Sequence, residues 1–286
     1  MELLTIIKAI ILGIVEGLTE FAPVSSTGHM IIVDDMWLKS QEFLGKYTAN
    51  TFKVVIQLGS ILAVVIIFRN RFIDLLGLKR FSRKQLEPVS EGQPQQETGG
   101  RLKLAQVIVG LLPAGVLGVL FEDYIDEHLF STSTVLIGLV IGAIFMICAD
   151  RFAPKKTVVE SVDQITYRQA LTVGFIQCLS LWPGFSRSGS TISGGVLLGM
   201  SHRAAADFTF IMAVPIMAGA SLISLVKNWE YFTMDALPFF IAGFISAFLF
   251  ALLSMRFFLK LINRIKLLPF AIYRIILAGV VYLVFF

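Results

Sequence analysis

Gly13-Ile-Val-Glu16-Gly-Leu-Thr-Glu20-Phe-Ala-Pro23-Val-Ser25-Ser26-Thr27-Gly28-His29 decides how this chain folds, because a second stretch repeats it. The second is Gly174-Phe-Ile-Gln177-Cys-Leu-Ser-Leu-Trp-Pro183-Gly-Phe-Ser186-Arg187-Ser188-Gly189-Ser190-Thr191, at an ungapped offset of 161 residues. The offset aligns Gly13 with Gly174, Leu18 with Leu179, Ser25 with Ser186 and Gly28 with Gly189. It also pairs Glu16 with Gln177, Thr19 with Ser180, Phe21 with Trp182 and Thr27 with Ser188. Each copy passes from an apolar run through a Pro break into a Ser/Thr cluster, the pattern of a duplicated broken helix.

The surrounding chain is oily. Of 286 residues, 56% are hydrophobic and 15% charged, and the mean hydropathy is +0.80. A soluble domain of this length has no interior large enough for that apolar load, so the sequence reads as an integral membrane protein. The 25 Phe residues suit lipid-facing helices, and the lack of alternating ten-residue strands argues against a barrel. The net charge of +4 does not indicate a nucleic-acid binder, because the Lys and Arg residues flank apolar spans as membrane topology demands. Cys148 and Cys178 both lie in apolar segments and imply no disulfide framework. Glu16 and Glu20 interrupt the first apolar run with no small-residue cleavage site before them, so no cleaved signal peptide is expected.

Six stretches have the roughly 20 residues that a spanning helix needs: about 51–69, 104–121, 132–150, 205–226, 236–257 and 267–286. Two regions, about 4–37 and 169–201, hold shorter pieces around the breaks and read as re-entrant hairpins. Basic residues crowd segments 69–103, 151–168 and 256–266, whereas 122–127 is acidic. The positive-inside rule puts the basic loops in the cytoplasm, and 122–131, 227–235 and both termini outside. The polar run 88–100 reads as a flexible insertion. Three spans separate the two copies, so the second hairpin enters from the opposite face. The expected fold is an all-α integral membrane protein, an inverted-topology repeat of six transmembrane helices and two re-entrant helical hairpins. It forms one membrane domain over 1–286, with repeat 1 at about 1–150, a cytoplasmic loop at about 70–103 and repeat 2 at about 165–286.

Glu16, Glu20, His29 and Arg187 sit at membrane depth, where each charge costs about 2.5–3.5 kcal/mol on insertion scales. One shared polar cavity resolves that cost. Glu16 and Glu20 are four apart and fall on one helix face. Two close carboxylates repel unless a cation intervenes, either Arg187 or a divalent metal bound with substrate phosphate. In the second copy Gly184 permits close backbone approach, the Ser186–Thr191 run opens a helix, and Arg187 supplies a planar fork for phosphate oxygens. Ser25, Thr27, Gly184, Ser186, Ser188 and Thr191 are therefore the anion-binding candidates. In the first copy His29 is a candidate base, acid or nucleophile and Ser26 a candidate nucleophile. His128, in a turn, and His202, beside Arg203 at a helix start, lack such company and read as unremarkable. The same architecture also suits a carrier, a polyprenyl-phosphate transporter, because broken helices within inverted repeats mark transporters.

At these residues the chain resembles the undecaprenyl-diphosphate phosphatase (bacitracin-resistance) family over essentially its whole length. The matching motifs are Glu16-Gly-Leu-Thr-Glu20-Phe, Pro23-Val-Ser-Ser-Thr-Gly-His29, Gln57-Leu-Gly-Ser-Ile-Leu-Ala63, Trp182-Pro-Gly-Phe-Ser-Arg-Ser-Gly189 and Pro269-Phe-Ala-Ile-Tyr-Arg274. The resemblance implies hydrolysis of undecaprenyl diphosphate to undecaprenyl phosphate and inorganic phosphate, recycling the lipid carrier of peptidoglycan synthesis. It implies a catalytic group of Glu16, Glu20, Ser26, His29 and Arg187, with a divalent cation (Mg²⁺ or Ca²⁺) contacted by Glu16 and Glu20. It further implies a homodimer in the bacterial plasma membrane, among membrane lipid, with its site facing the periplasmic or extracellular side.

Overall fold

The computed structural model describes residues 3–78, 101–129, 131–227, 229–231 and 234–286. The polar run 88–100, read above as a flexible insertion, lies outside the described residues. The described chain is helical, with one isolated β-bridge between Val159 and Met200.

The first half comprises α1 (Leu3–Thr19), α2 (Ser26–Met30) running into a π-helical turn (Ile31–Leu38), α3 (Ser40–Leu44), α4 (Lys46–Ile67), α5 (Arg69–Leu75), α6 (Leu104–Leu120), α7 (Glu122–His128) and α8 (Thr132–Phe152). The second half comprises α9 (Tyr167–Gln177), α10 (Arg187–Leu197), α11 (His202–Lys227), α12 (Leu237–Ile265) and α13 (Leu268–Phe285). Four helices are long and apolar enough to cross a membrane: Lys46–Ile67, Thr132–Phe152, His202–Lys227 and Met234–Ile265. Leu104–Leu120 and Leu268–Val284 are shorter apolar helices. The protein is a multi-pass membrane protein.

Its helices show why. On α12 the stripe Ile241, Ile245, Leu249, Leu253 and Phe257 is exposed, while Phe240, Gly243, Ala247, Ala251 and Met255 are buried. Both faces are apolar, as expected where lipid replaces water, and the buried one also carries the small residues Gly243, Ala247 and Ala251. The small residues let backbones approach. α1 lies along α12, and a Cβ on Gly17 would meet the α12 backbone, 2.7 Å from Ala251 N. α9 lies along α6 in the same way, with Gly174 against the carbonyl of Gly110.

Two expectations about the connections need correcting. Residues 256–265 are the end of α12, not a loop: no Gly or Pro lies between Gly243 and Lys266, whose φ is +57°. Arg256, Lys260 and Arg264 recur every four residues and form one exposed basic stripe. The acidic turn is the short helix α7, whose Glu122 and Asp123 occupy the first turn and favour the helix dipole.

Candidate active site

The two breaks fold alike. α1 ends at Thr19, yet Glu20 N–H still donates to the Glu16 carbonyl at 2.9 Å, which keeps both carboxyl groups on one side. The chain then turns through Pro23 to Ser25, whose φ of +72° lies in the left-handed region. Ser25 Oγ caps α2 by accepting from Gly28 N–H at 3.3 Å. At the second break α9 passes through a 3-10 turn (Cys178–Leu181) and Pro183 to Ser186, with φ +75°. Its Oγ caps α10 by accepting from Gly189 N–H at 3.1 Å. A left-handed serine costs on the order of 1–3 kcal/mol and persists only where its surroundings fix it. Phe21 anchors the first turn, buried edge-on against Phe210 at 5.4 Å. Trp182, its counterpart, anchors the second by donating Nε1–H to the Thr134 carbonyl at 2.9 Å.

Glu20 joins the copies. Its Oε2 accepts from Ser26 Oγ at 2.5 Å and its Oε1 from Arg187 Nη2 at 2.9 Å. Ser188 Oγ donates to the Glu20 carbonyl at 3.3 Å. Glu20 and Arg187 are mutual counter-ions, and removal of one would strand the other at a cost of about 3–5 kcal/mol. The structure thus brings Glu20, Ser26 and Arg187 together around a cavity of about 260 Å³, also lined by Ser25, Thr27, Gly184 and Ser186.

Three buried polar atoms around the site have no partner among the described residues: Arg187 Nη1, Gln177 Nε2 and Glu16 Oε1. Buried polar groups are normally satisfied. Two unpaired donors beside a Ser/Thr-lined cavity are placed to receive an anion.

The other expected residues stand further back. Thr191 is buried at 1% exposure, donating to the Arg187 carbonyl at 2.8 Å and accepting from Thr209 Oγ1 at 2.8 Å. Ser188 is buried too, and neither residue lines the cavity. Gly184, with φ +90°, lines the cavity on one side and abuts the Val135 carbonyl on the other, where a side chain has no room. His29 is not brought into hydrogen-bond contact with Ser26, Glu20 or Arg187. Its Nδ1 donates to the Ser25 carbonyl at 2.7 Å, which fixes the proton on that nitrogen. Its Nε2 meets the Tyr273 hydroxyl at 2.6 Å, with the two rings stacked 5.6 Å apart. His128 bonds the Tyr124 carbonyl at 3.2 Å within α7, and His202 pairs with Asp150 at 2.7 Å, both away from the site.

Four site residues carry no role in the sequence reading. Gln57 and Gln177 line the cavity. Tyr273 holds His29. Arg274, with 0% exposure, donates from Nη2 to the carbonyls of Gly184 at 2.8 Å and Phe185 at 2.9 Å, clamping the second break from α13. The motif Pro269–Arg274 was a signal for the last two, and the offset partner of Glu16 was a signal for Gln177.

Among the described residues no group of three or more His, Cys, Asp or Glu side chains is placed to hold a metal. Glu16 still offers an unpartnered buried oxygen within electrostatic range of Glu20, so this carboxylate pair suits a cation completed by ligands from substrate.

The family described as bacitracin resistance protein BacA matches residues 9–280. A protein of Geobacillus sp. (strain WCH70) named undecaprenyl-diphosphatase is 77% identical over 286 residues, covering 100% of both chains. Proteins of the same name from Anoxybacillus flavithermus (strain DSM 21510 / WK1) and Bacillus subtilis (strain 168) are 71% and 62% identical, the first covering 100% and the second 99% of both chains. The chain belongs to the bacitracin resistance protein BacA family.

Proposed function

We propose that the protein hydrolyses undecaprenyl diphosphate to undecaprenyl phosphate and inorganic phosphate, returning the lipid carrier to peptidoglycan synthesis and conferring bacitracin resistance. The observation that carries this reading is the Ser26–Glu20–Arg187 relay beside an unpaired guanidinium nitrogen. The terminal phosphate sits against Arg187 Nη1, Gln177 Nε2 and the Ser/Thr hydroxyls. Ser26 Oγ attacks its phosphorus while Glu20, already accepting the hydroxyl proton, takes it. The bond from that phosphorus to the bridging oxygen breaks, and undecaprenyl phosphate leaves with the bridging oxygen. Water then attacks the phosphoserine, its proton passing to a site base, and orthophosphate departs from a regenerated Ser26. Charge on the equatorial oxygens is stabilised by Arg187, the largest contribution the site makes. His29 contributes by holding Ser25, and with it the adjacent Ser26, in the left-handed turn. A divalent cation, when bound by Glu16 and Glu20, supplies further neutralisation of phosphate charge.

The same proposal includes the topology: α6 and α13 also cross the bilayer, and the two broken helices are re-entrant halves of an inverted repeat. The matched serine turns at 25 and 186 support this, as does the reciprocal packing of α1 on α12 and α9 on α6. The bacterial plasma membrane, a site opening on its outer side and a homodimeric assembly complete the reading, from charge bias and family resemblance. A carrier of polyprenyl phosphate needs the anion cradle but no proton acceptor on Ser26, which is why the phosphatase is preferred.

The test is phosphate release from a long-chain polyprenyl diphosphate by purified protein in detergent, with Mg²⁺ or a chelator. Arg187→Ala is expected to lose roughly 10²-fold or more in rate. Near-normal turnover by the folded variant overturns the assignment, and no release by folded wild type makes the carrier the better reading. Loss of release with chelator supports the cation; unchanged release removes it.

A further inference from the structure

Beyond Ser26 and Thr27 lies a second, larger cavity of about 750 Å³, and it shares Ser26, Thr27 and Gln57 with the first. One wall is a face of α4 carrying Lys46, Asn50, Lys53 and Gln57, spaced as neighbours on a helix. The two cavities differ in character. The first is also lined by Ala114, Leu181, Ile216, Met217 and Ala220, which suits a prenyl chain. The second carries two lysines, Lys46 exposed and Lys53 half-buried, beside the polar side chains of Gln41, Asn50 and Gln57. Lys53 is held from behind by Asp34 Oδ2 at 2.8 Å, and Asp34 is fixed by the N–H and hydroxyl of Ser40.

We propose that this second cavity is the exit vestibule for the inorganic phosphate cut from the substrate, a second anion subsite with Lys46 and Lys53 as its counter-charges. The proposal rests on the phosphatase reading and adds how the two products part. Undecaprenyl phosphate is held by its tail on the apolar side. Orthophosphate carries close to two charges and needs a hydrated, positive path. With a water's share of liquid volume about 30 Å³, the cavity accommodates a phosphate together with its hydration shell. The residue types fit a staged release. Arg187 grips in a planar, bidentate manner, whereas lysine is a strongly hydrated point charge that holds an anion loosely. Lys46 also sits in the first turn of α4, at the positive end of its dipole.

The test is equilibrium binding of radiolabelled inorganic phosphate to the purified full chain in detergent, without turnover. A parallel arm uses a short-chain prenyl monophosphate, the other carrier of the same phosphate group. Lys46→Gln is expected to weaken inorganic phosphate about fivefold, the loss of one partly solvated charge partner, and the prenyl monophosphate less than about twofold. Lys46→Arg is expected to restore phosphate binding. Unchanged phosphate affinity in Lys46→Gln, no phosphate binding to wild type, or a loss confined to the prenyl monophosphate each overturn the vestibule. Phosphate binding that depends on Lys46, in a wild type that releases nothing from the diphosphate, upholds the anion subsite and overturns the phosphatase reading beneath it.

Discussion

At the first break Ser25 turns at φ +72° and caps the helix at Gly28; at the second Ser186 turns at φ +75° and caps at Gly189. Around that shared backbone the side chains have diverged. Glu16 stands opposite Gln177, Glu20 opposite Leu181, Ser26 opposite Arg187 and His29 opposite Ser190. One copy keeps the carboxylates, the hydroxyl of Ser26 and the imidazole, and the other keeps the cation. Two identical copies would place like charges face to face, whereas two unlike copies place Glu20 and Arg187 in contact at 2.9 Å. The strained serine turn is what both copies need, and the chemistry arises from their difference.

The sharpest way to break that comparison is to remove the proposed nucleophile, Ser26, from the first copy. Ser26→Ala is expected to lower turnover by at least ~10³-fold, as loss of a catalytic nucleophile does, and to abolish labelling of the protein by substrate carrying radioactive terminal phosphate. Turnover within about tenfold of wild type, with no labelled protein in either, would assign the attack to water and leave the first copy only a binding role. Next in size is Arg274→Met, which leaves the Gly184 and Phe185 carbonyls buried and unpaired at about 1–3 kcal/mol each. The second break then loosens, and displacement of Arg187 by about 1 Å costs on the order of 10²-fold in rate. The melting temperature in detergent should fall with it; a lower rate at unchanged melting temperature would count against the clamp.

That clamp was out of reach of the sequence, and the reason is geometric. Charged residues amid apolar runs and Pro, Gly and Ser at the breaks are local signals, so both broken helices and the group Glu20, Ser26 and Arg187 could be read directly. Tyr273 and Arg274 reach partners 244 and 90 positions away, and nothing in an apolar helix announces which break a buried Arg will hold. His29 was assigned to chemistry by its neighbours in sequence, but its ring is turned to Ser25 and Tyr273. Lys46 and Lys53 carry no role in the sequence reading, and only α4 puts them on one face with Gln57. The end of α12 was misplaced for the converse reason: basic residues suggested a loop, although helix propensity favours Lys and Arg as strongly as Leu.

Gln177 sharpens the comparison at its most conservative pair. Its Nε2 is an unsatisfied donor in the cavity, and its aligned counterpart Glu16 carries an unsatisfied acceptor. Gln177→Leu removes one hydrogen bond to a charged phosphate, so about a tenfold loss in kcat/KM is expected. A loss below twofold would place the phosphate away from the second copy's first helix.

The smallest effect is expected at Tyr273, which braces the first break as Arg274 braces the second. Tyr273→Phe deletes one hydrogen bond to the neutral His29 ring, worth about 1 kcal/mol, so turnover should fall no more than about fivefold. The stacked ring stays in place, and His29 Nδ1 still holds the Ser25 carbonyl. The two braces therefore differ in kind: Arg274 supports backbone carbonyls that have no other donor of its strength, while Tyr273 supports a side chain that is already held from its other end. Measuring both variants side by side tests that asymmetry directly. If Tyr273→Phe costs as much as Arg274→Met, the imidazole needs Tyr273 for its proton state as well as its position, and His29 returns to the chemistry of the first copy.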